Sequence, residues 1–141
     1  RGRRFARACK GAGRALIGNY RKIPSRRPFN EDPPLPKAVF IQHDQTEREI
    51  EIARGESPMR AAVREGIDGI LGECGGGLTC STCHVYVDPG WAAKLPAPQA
   101  DELEMLDYVA AEKRAHSRLS CQIRMTDELA GIRLEIPECQ I

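Results

Sequence analysis

Residues 73–87, Glu-Cys-Gly-Gly-Gly-Leu-Thr-Cys-Ser-Thr-Cys-His-Val-Tyr-Val, constrain this chain more than any other stretch. They place three cysteines within ten positions and three consecutive glycines between the first two. Five residues separate Cys74 from Cys80 and two separate Cys80 from Cys83. A fourth candidate, Cys121, follows thirty-seven residues later within Leu-Ser-Cys-Gln-Ile. Four thiolates are what a binuclear iron-sulfur cluster requires, two for each tetrahedral iron, since its bridging sulfides come from outside the protein. A backbone wrapped closely around sulfur needs small residues, and Gly75, Gly76 and Gly77 offer both the approach and unusual dihedrals. Their N–H groups can point inward and offset the negative charge of the cluster. Other chemistries use the same residues less completely. Covalent haem attachment at Cys80-Ser-Thr-Cys83-His84 leaves Cys74 and Cys121 idle, and His-Val-Tyr-Val continues as a strand. A structural zinc site takes four thiolates, usually from two short-spaced pairs, and only one such pair exists here. A thioredoxin-like pair at Cys80 and Cys83 would want a helix start at that point.

Spacings of five, two and thirty-seven, with Cys-Ser-Thr-Cys-His-Val-Tyr-Val, Ser-Arg-Leu-Ser-Cys-Gln-Ile and a closing Ile-Pro, resemble the adrenodoxin and putidaredoxin group of 2Fe-2S ferredoxins. The plant type has four residues in the first gap. The resemblance covers residues 37–141. It implies an α+β, β-grasp (ubiquitin-like) fold with a mixed sheet. It also implies Cys74 and Cys80 on one iron, Cys83 and Cys121 on the other, and His84 as a structural hydrogen-bonder rather than a ligand.

Length and composition fit one domain with an extension. At 141 residues and 41% hydrophobic, the chain can bury a single core. No apolar run approaches the ~20 residues of a membrane helix. Six cysteines without a secretory signal suit a reducing compartment and a metal site better than a disulfide framework. The net charge of +1 conceals a division: residues 1–36 hold ten Lys or Arg against Glu31 and Asp32, a net +8, while residues 37–141 hold eleven against eighteen acids, a net −7. The basic segment ends in Glu-Asp-Pro-Pro-Leu-Pro, which marks a linker. Its composition suits a disordered extension, a mitochondrial presequence or a basic arm for a partner, and Cys9 within it has no assigned role.

From Ala38 the pattern is globular. Ala-Val-Phe-Ile and Glu-Arg-Glu-Ile-Glu-Ile flank a turn at Asp44-Gln45-Thr46, a hairpin. Ser57 and Pro58 are an N-cap and first helical residue, with Met59, Ala62 and Val63 recurring at helical spacing until Gly66. The cluster loop follows, then a strand at His84–Val87, a loop around Trp91, and a second helix from about Gln99 to Glu112. A last strand alternates Ile132, Leu134 and Ile136 before Pro137.

On the second helix, Leu103, Leu106, Val109 and Ala110 fall on one face. Asp101, Glu104, Asp107 and Glu112 fall on the other with Met105 and Tyr108. A charged helix face is ordinarily a solvated one. The resemblance gives this one a role, an acidic surface docking basic patches on reductase and oxidase, with Glu73 a second acidic candidate. It also places Ile141 where related chains carry a terminal aromatic against the oxidase, so deletion of Gln140 and Ile141 is expected to slow oxidase reduction. The function implied is electron transport without substrate chemistry, from a NAD(P)H-dependent flavoprotein ferredoxin reductase to a cytochrome P-450-type monooxygenase. The expected protein is monomeric and cytoplasmic in a bacterium, with no nucleic-acid partner and no membrane insertion. The mitochondrial matrix is the alternative location. An electron donor to iron-sulfur cluster assembly and a zinc-stabilised interaction module are the rival functions.

Overall fold

The computed structural model describes residues 32–141; the expectations made for the basic extension and Cys9 lie outside them. Five strands form one mixed sheet in the order β2-β1-β5-β3-β4. β1 (Lys37–Ile41) and β2 (Glu47–Glu51) are the expected hairpin, with Ala38 opposite Ile50. Its turn is closed by the Thr46 amide donating to Asp44 Oδ1 at 2.9 Å, an Asx arrangement that Gln45 completes with φ of 68°. Ala38, Phe40, Ile50 and Ile52 point into the core, while Glu47, Arg48, Glu49 and Glu51 leave β2 a charged edge that resists pairing with another chain.

β5 (Ile132–Glu135) runs parallel to β1, with Ala38 opposite Ile132 and Phe40 opposite Leu134. β3 (His84–Val87) is antiparallel to β5 and to β4 (Ser117–Leu119), and both β3 and β4 are buried throughout. β4 carries no alternation in sequence; Arg118 lies in its middle.

α1 (Pro58–Arg64) starts as expected. Ser57 Oγ accepts from the Arg60 amide at 3.4 Å and Pro58 occupies the first turn, where its missing N–H is no loss. It buries Met59, Ala61 and Ala62, whereas Val63, expected inward, is half exposed. The loop around Trp91 contains a short helix, α2 (Pro89–Ala92), capped by Asp88.

The second long helix is shorter than its pattern. α3 spans Ala100–Met105 and tightens into a 3₁₀ turn at Leu106–Tyr108. Leu103, expected inward, is 45% exposed and Ala110 is exposed; Glu102 is buried at 1% beside Leu106. The reason is a partner. Glu102 Oε1 accepts from Arg118 Nε at 2.8 Å and from the Leu119 amide at 3.0 Å, and Oε2 accepts from the same guanidinium at 3.1 Å. Arg118 also donates to the Pro96 carbonyl at 2.8 Å. A carboxylate with this many donors can be buried where an unpaired one could not.

Candidate metal centre

The loop joining α1 to β3 is anchored by buried Ile67 and Ile70 and folds back on itself, the Leu71 and Gly72 amides both donating to the Thr82 carbonyl. Gly75 and Gly76 have the positive φ expected of them, 64° and 100°. Gly77 does not; its amide instead donates to the Cys74 carbonyl at 3.2 Å. Two residues that no glycine signal marks, Leu78 and Ser81, take left-handed φ of 55° and 54°. Such backbone is disfavoured for residues with a Cβ and persists where the surroundings enforce it.

This turn sequence brings the four expected thiols together as two pairs, Cys74 with Cys80 and Cys83 with Cys121. Among the described residues, no three His, Cys, Asp or Glu side chains converge on a point that would hold a single ion. Two pairs of thiols are the donor set of a two-iron group. The pairs differ in depth: Cys83 and Cys121 are each 2% exposed, while Cys74 and Cys80 reach the surface.

Donors crowd the sulfurs. The Cys74 amide lies 3.3 Å from Cys80 Sγ, and Gln122 Nε2 donates to Cys121 Sγ at 3.3 Å while touching the Gly76 carbonyl at 3.5 Å. Thr82 Oγ1 accepts from the Glu73 amide at 3.1 Å and lies 3.1 Å from Cys80 Sγ, to which it can donate once that sulfur is a thiolate. Burial pushes the Cys74 thiol up, but the amide of Thr79, the Cys80 thiol and the amides of Gly76 and Gly77 together bring it down to about 6. The two inner thiols act on each other in opposite directions. Its hydrogen bond with Cys83 lowers Cys121 to about 7 against the effect of burial, and that same bond, then burial, raises Cys83. Groups that favour a thiolate here are those a thiolate-ligated cluster needs, so the residues fit it.

The fourth cysteine's segment is tied to the third's: the Ser120 hydroxyl and amide both donate to the Cys83 carbonyl, at 2.8 and 3.0 Å. His84 is 1% exposed, its Nε2 is 2.8 Å from Ser117 Oγ, and burial followed by the charge of Arg114 lowers its pKa to about 4. It is a neutral hydrogen-bonder. Gln140 clamps its backbone, accepting from the His84 amide at 3.2 Å and donating to the His84 carbonyl at 2.8 Å. The segment after β5 is thus fastened beside Cys83.

Glu73, Asp101, Glu104 and Asp107 are all exposed, Glu73 at the loop's entry and the others on or just after α3. Asp107 pairs with Lys113 at 2.6 Å. Ile141 is 85% exposed, and Cys139 is exposed. Thr82, Gln122, Glu102, Arg118 and the clamp made by Gln140 carry no motif that marks them in the sequence. Thr82 and Gln122 stand beside cysteines of the expected ligand set, where a signal could have been sought.

Four thiols in two pairs, three from the loop before β3 and one from the segment after β4 of a mixed five-stranded sheet, define a ferredoxin. The chain belongs to the family described as the 2Fe-2S iron-sulfur cluster binding domain, whose model matches residues 41–126. As a member it takes a 2Fe-2S cluster and is an electron-transfer protein, not an enzyme. It is similar to putidaredoxin of Pseudomonas putida, 48% identical over 75% of this chain and 99% of that one. It is similar also to rhodocoxin of Rhodococcus erythropolis, 42% identical over 76% and 100%. Among solved structures, putidaredoxin in a covalent complex with putidaredoxin reductase matches with a TM-score of 0.70 and 50% identity, covering 72% of this chain and 97% of that one. The β-grasp ferredoxin fold is that of these neighbours.

Proposed function

We propose that this chain carries single electrons from a NAD(P)H-dependent flavoprotein ferredoxin reductase to a cytochrome P-450-type monooxygenase. Cys74 and Cys80 hold one iron of the cluster and Cys83 and Cys121 the other. The observation that carries the reading is the 48% identity with putidaredoxin across 99% of that protein. When bound, the cluster supplies the one-electron couple. The chain supplies the rest. The outer thiol pair, Cys74 and Cys80, lies near the surface, where an electron enters and leaves; the inner pair is enclosed. Donors from Thr82, Gln122 and the loop amides offset added negative charge on reduction. Glu73, next to Cys74, and Asp101, Glu104 and Asp107, exposed on or just after α3, present negative charge at the surface, which speeds encounter with a basic partner and fixes its orientation. The working unit is residues 37–141, a monomer of the bacterial cytoplasm, with residues 1–36 a separate extension. No helix among the described residues is long and apolar enough to cross a membrane.

The test is reconstitution. With NADH and putidaredoxin reductase, the visible absorption of the loaded protein should bleach, and a P-450-type oxidase mixed with the reduced protein should be reduced in a single turnover. Reduction by the reductase without transfer to any such oxidase, beside support of cluster assembly, would reverse the second half of the proposal.

A further inference from the structure

Between Cys80 and Cys83 two hydroxyls point in opposite directions. Thr82 turns toward Cys80 Sγ, whereas Ser81 Oγ leaves the loop and donates to the carbonyl of Met105, the last residue of α3, at 2.9 Å. Met105 also opens the 3₁₀ turn, so its carbonyl, which takes the first backbone bond of that turn, accepts a second bond from the loop hydroxyl. Ser81 is 5% exposed and left-handed, with φ of 54°. A residue with a Cβ holds that backbone only where its surroundings dictate it, and the bond to Met105 is a side-chain contact made from it. The same helix grips the other cysteine-bearing segment. Glu102 accepts from the Leu119 amide, two residues before Cys121. The helix carrying Asp101 and Glu104 is therefore hydrogen-bonded to both halves of the thiol site.

We infer that Ser81 is a positioning residue that couples docking on α3 to the reduction potential of the site. It makes the left-handed turn, and with it the hydrogen bonds at Cys80 Sγ, depend on where the Met105 carbonyl lies. The inference rests on the proposed docking role of α3. Movement of that carbonyl under a partner is passed through one bond to the residue beside Cys80. Linkage makes the effect reciprocal: a partner that shifts the potential binds the reduced and oxidised forms with affinities differing by the same factor. Charge brought by the partner acts equally in every variant, so whatever disappears with the hydroxyl belongs to Ser81.

The experiment is a redox titration of the loaded protein with and without saturating putidaredoxin reductase, followed by the EPR signal of the reduced cluster, with iron and sulfide content checked. Ser81→Gly removes the hydroxyl and the strain together; Ser81→Ala removes the hydroxyl and keeps the strain; Ser81→Asn tolerates the left-handed backbone and restores a donor. In Ser81→Gly and Ser81→Ala the reductase-induced shift should differ from that of the wild type by about threefold in affinity ratio, or about 28 mV at 59 mV per tenfold for one electron. In Ser81→Asn it should return. Shifts equal to the wild type in the loaded hydroxyl-less variants would overturn the inference, as would a loop that cannot be loaded without the hydroxyl in either, which would make Ser81 purely structural. Failure of the wild type to bind the reductase would instead remove the proposed function.

Discussion

Thr82 is the smallest unit at which this site can be tuned. Its oxygen accepts from the Glu73 amide and lies against Cys80 Sγ; a cluster-bound thiolate has no proton to give, so there the hydroxyl is the donor, and a donor to sulfur favours the more negative, reduced state. Thr82→Ala should therefore lower the reduction potential. A bond worth about 1 kcal/mol more in the reduced state corresponds to about 40 mV for one electron. Voltammetry of the loaded variant measures it, and an unchanged or raised potential would show that the hydroxyl does not favour reduction. Ligand identity is tested at the same scale. Cys74→Ser, Cys80→Ser, Cys83→Ser and Cys121→Ser should each lose iron, acid-labile sulfide and visible absorption, while Cys139→Ser, an exposed residue that belongs to neither pair, should keep all three. Loss in Cys139→Ser with retention in Cys121→Ser would displace the proposed ligand set.

α3 owes its placement to a residue that its pattern misassigns. A helical wheel gives a Glu no reason to be inside, and the tightening at Leu106 breaks the period, so Leu103, expected inward, is exposed and Glu102 is buried instead. Removing Glu102 leaves the buried Arg118 guanidinium without its countercharge, and Glu102→Ala should cost about 3–5 kcal/mol in urea unfolding. A cost below 1 kcal/mol would mean the pair does not hold the helix. Elements whose cause is local were legible: Ser57-Pro58 starts α1, and the alternation of Ile50 and Ile52 marks the hairpin. The cysteine spacing marked the site. β4 was not legible because its burial depends on Glu102, sixteen positions from Arg118, and the left-handed Leu78 and Ser81 have no compositional signature. On the outer side of α3, Glu104→Gln with Asp107→Asn should leave the visible spectrum unchanged and slow association with the reductase. The double variant should also show a shallower dependence of that rate on salt. Equal rates and equal salt slopes in stopped flow would return this face to ordinary solvation. Asp107 already faces Lys113, so Glu104 should carry the larger share.

At the scale of the molecule, Gln140 and Ile141 separate two effects that deleting both would merge. Ile141→Ala alters only an exposed side chain and should slow oxidase reduction several-fold, on the order of 1 kcal/mol for one lost aliphatic contact, without changing reduction by the reductase. Gln140→Ala strips both bonds from the His84 backbone and should lower thermal stability and affect both partners alike. Identical profiles for the two variants would count against a separate contact at Ile141. The parallel pairing of β1 with β5 has a further consequence, in time. Ala38 meets Ile132 across roughly ninety intervening residues, and closing such a loop costs on the order of 4 kcal/mol before any contact rewards it. All four thiols of the site lie inside that loop. Refolding of the cluster-free chain should accordingly be a millisecond-to-second process limited by this non-local pairing, so the sulfurs are gathered at a rate set by two strands to which none of them belongs.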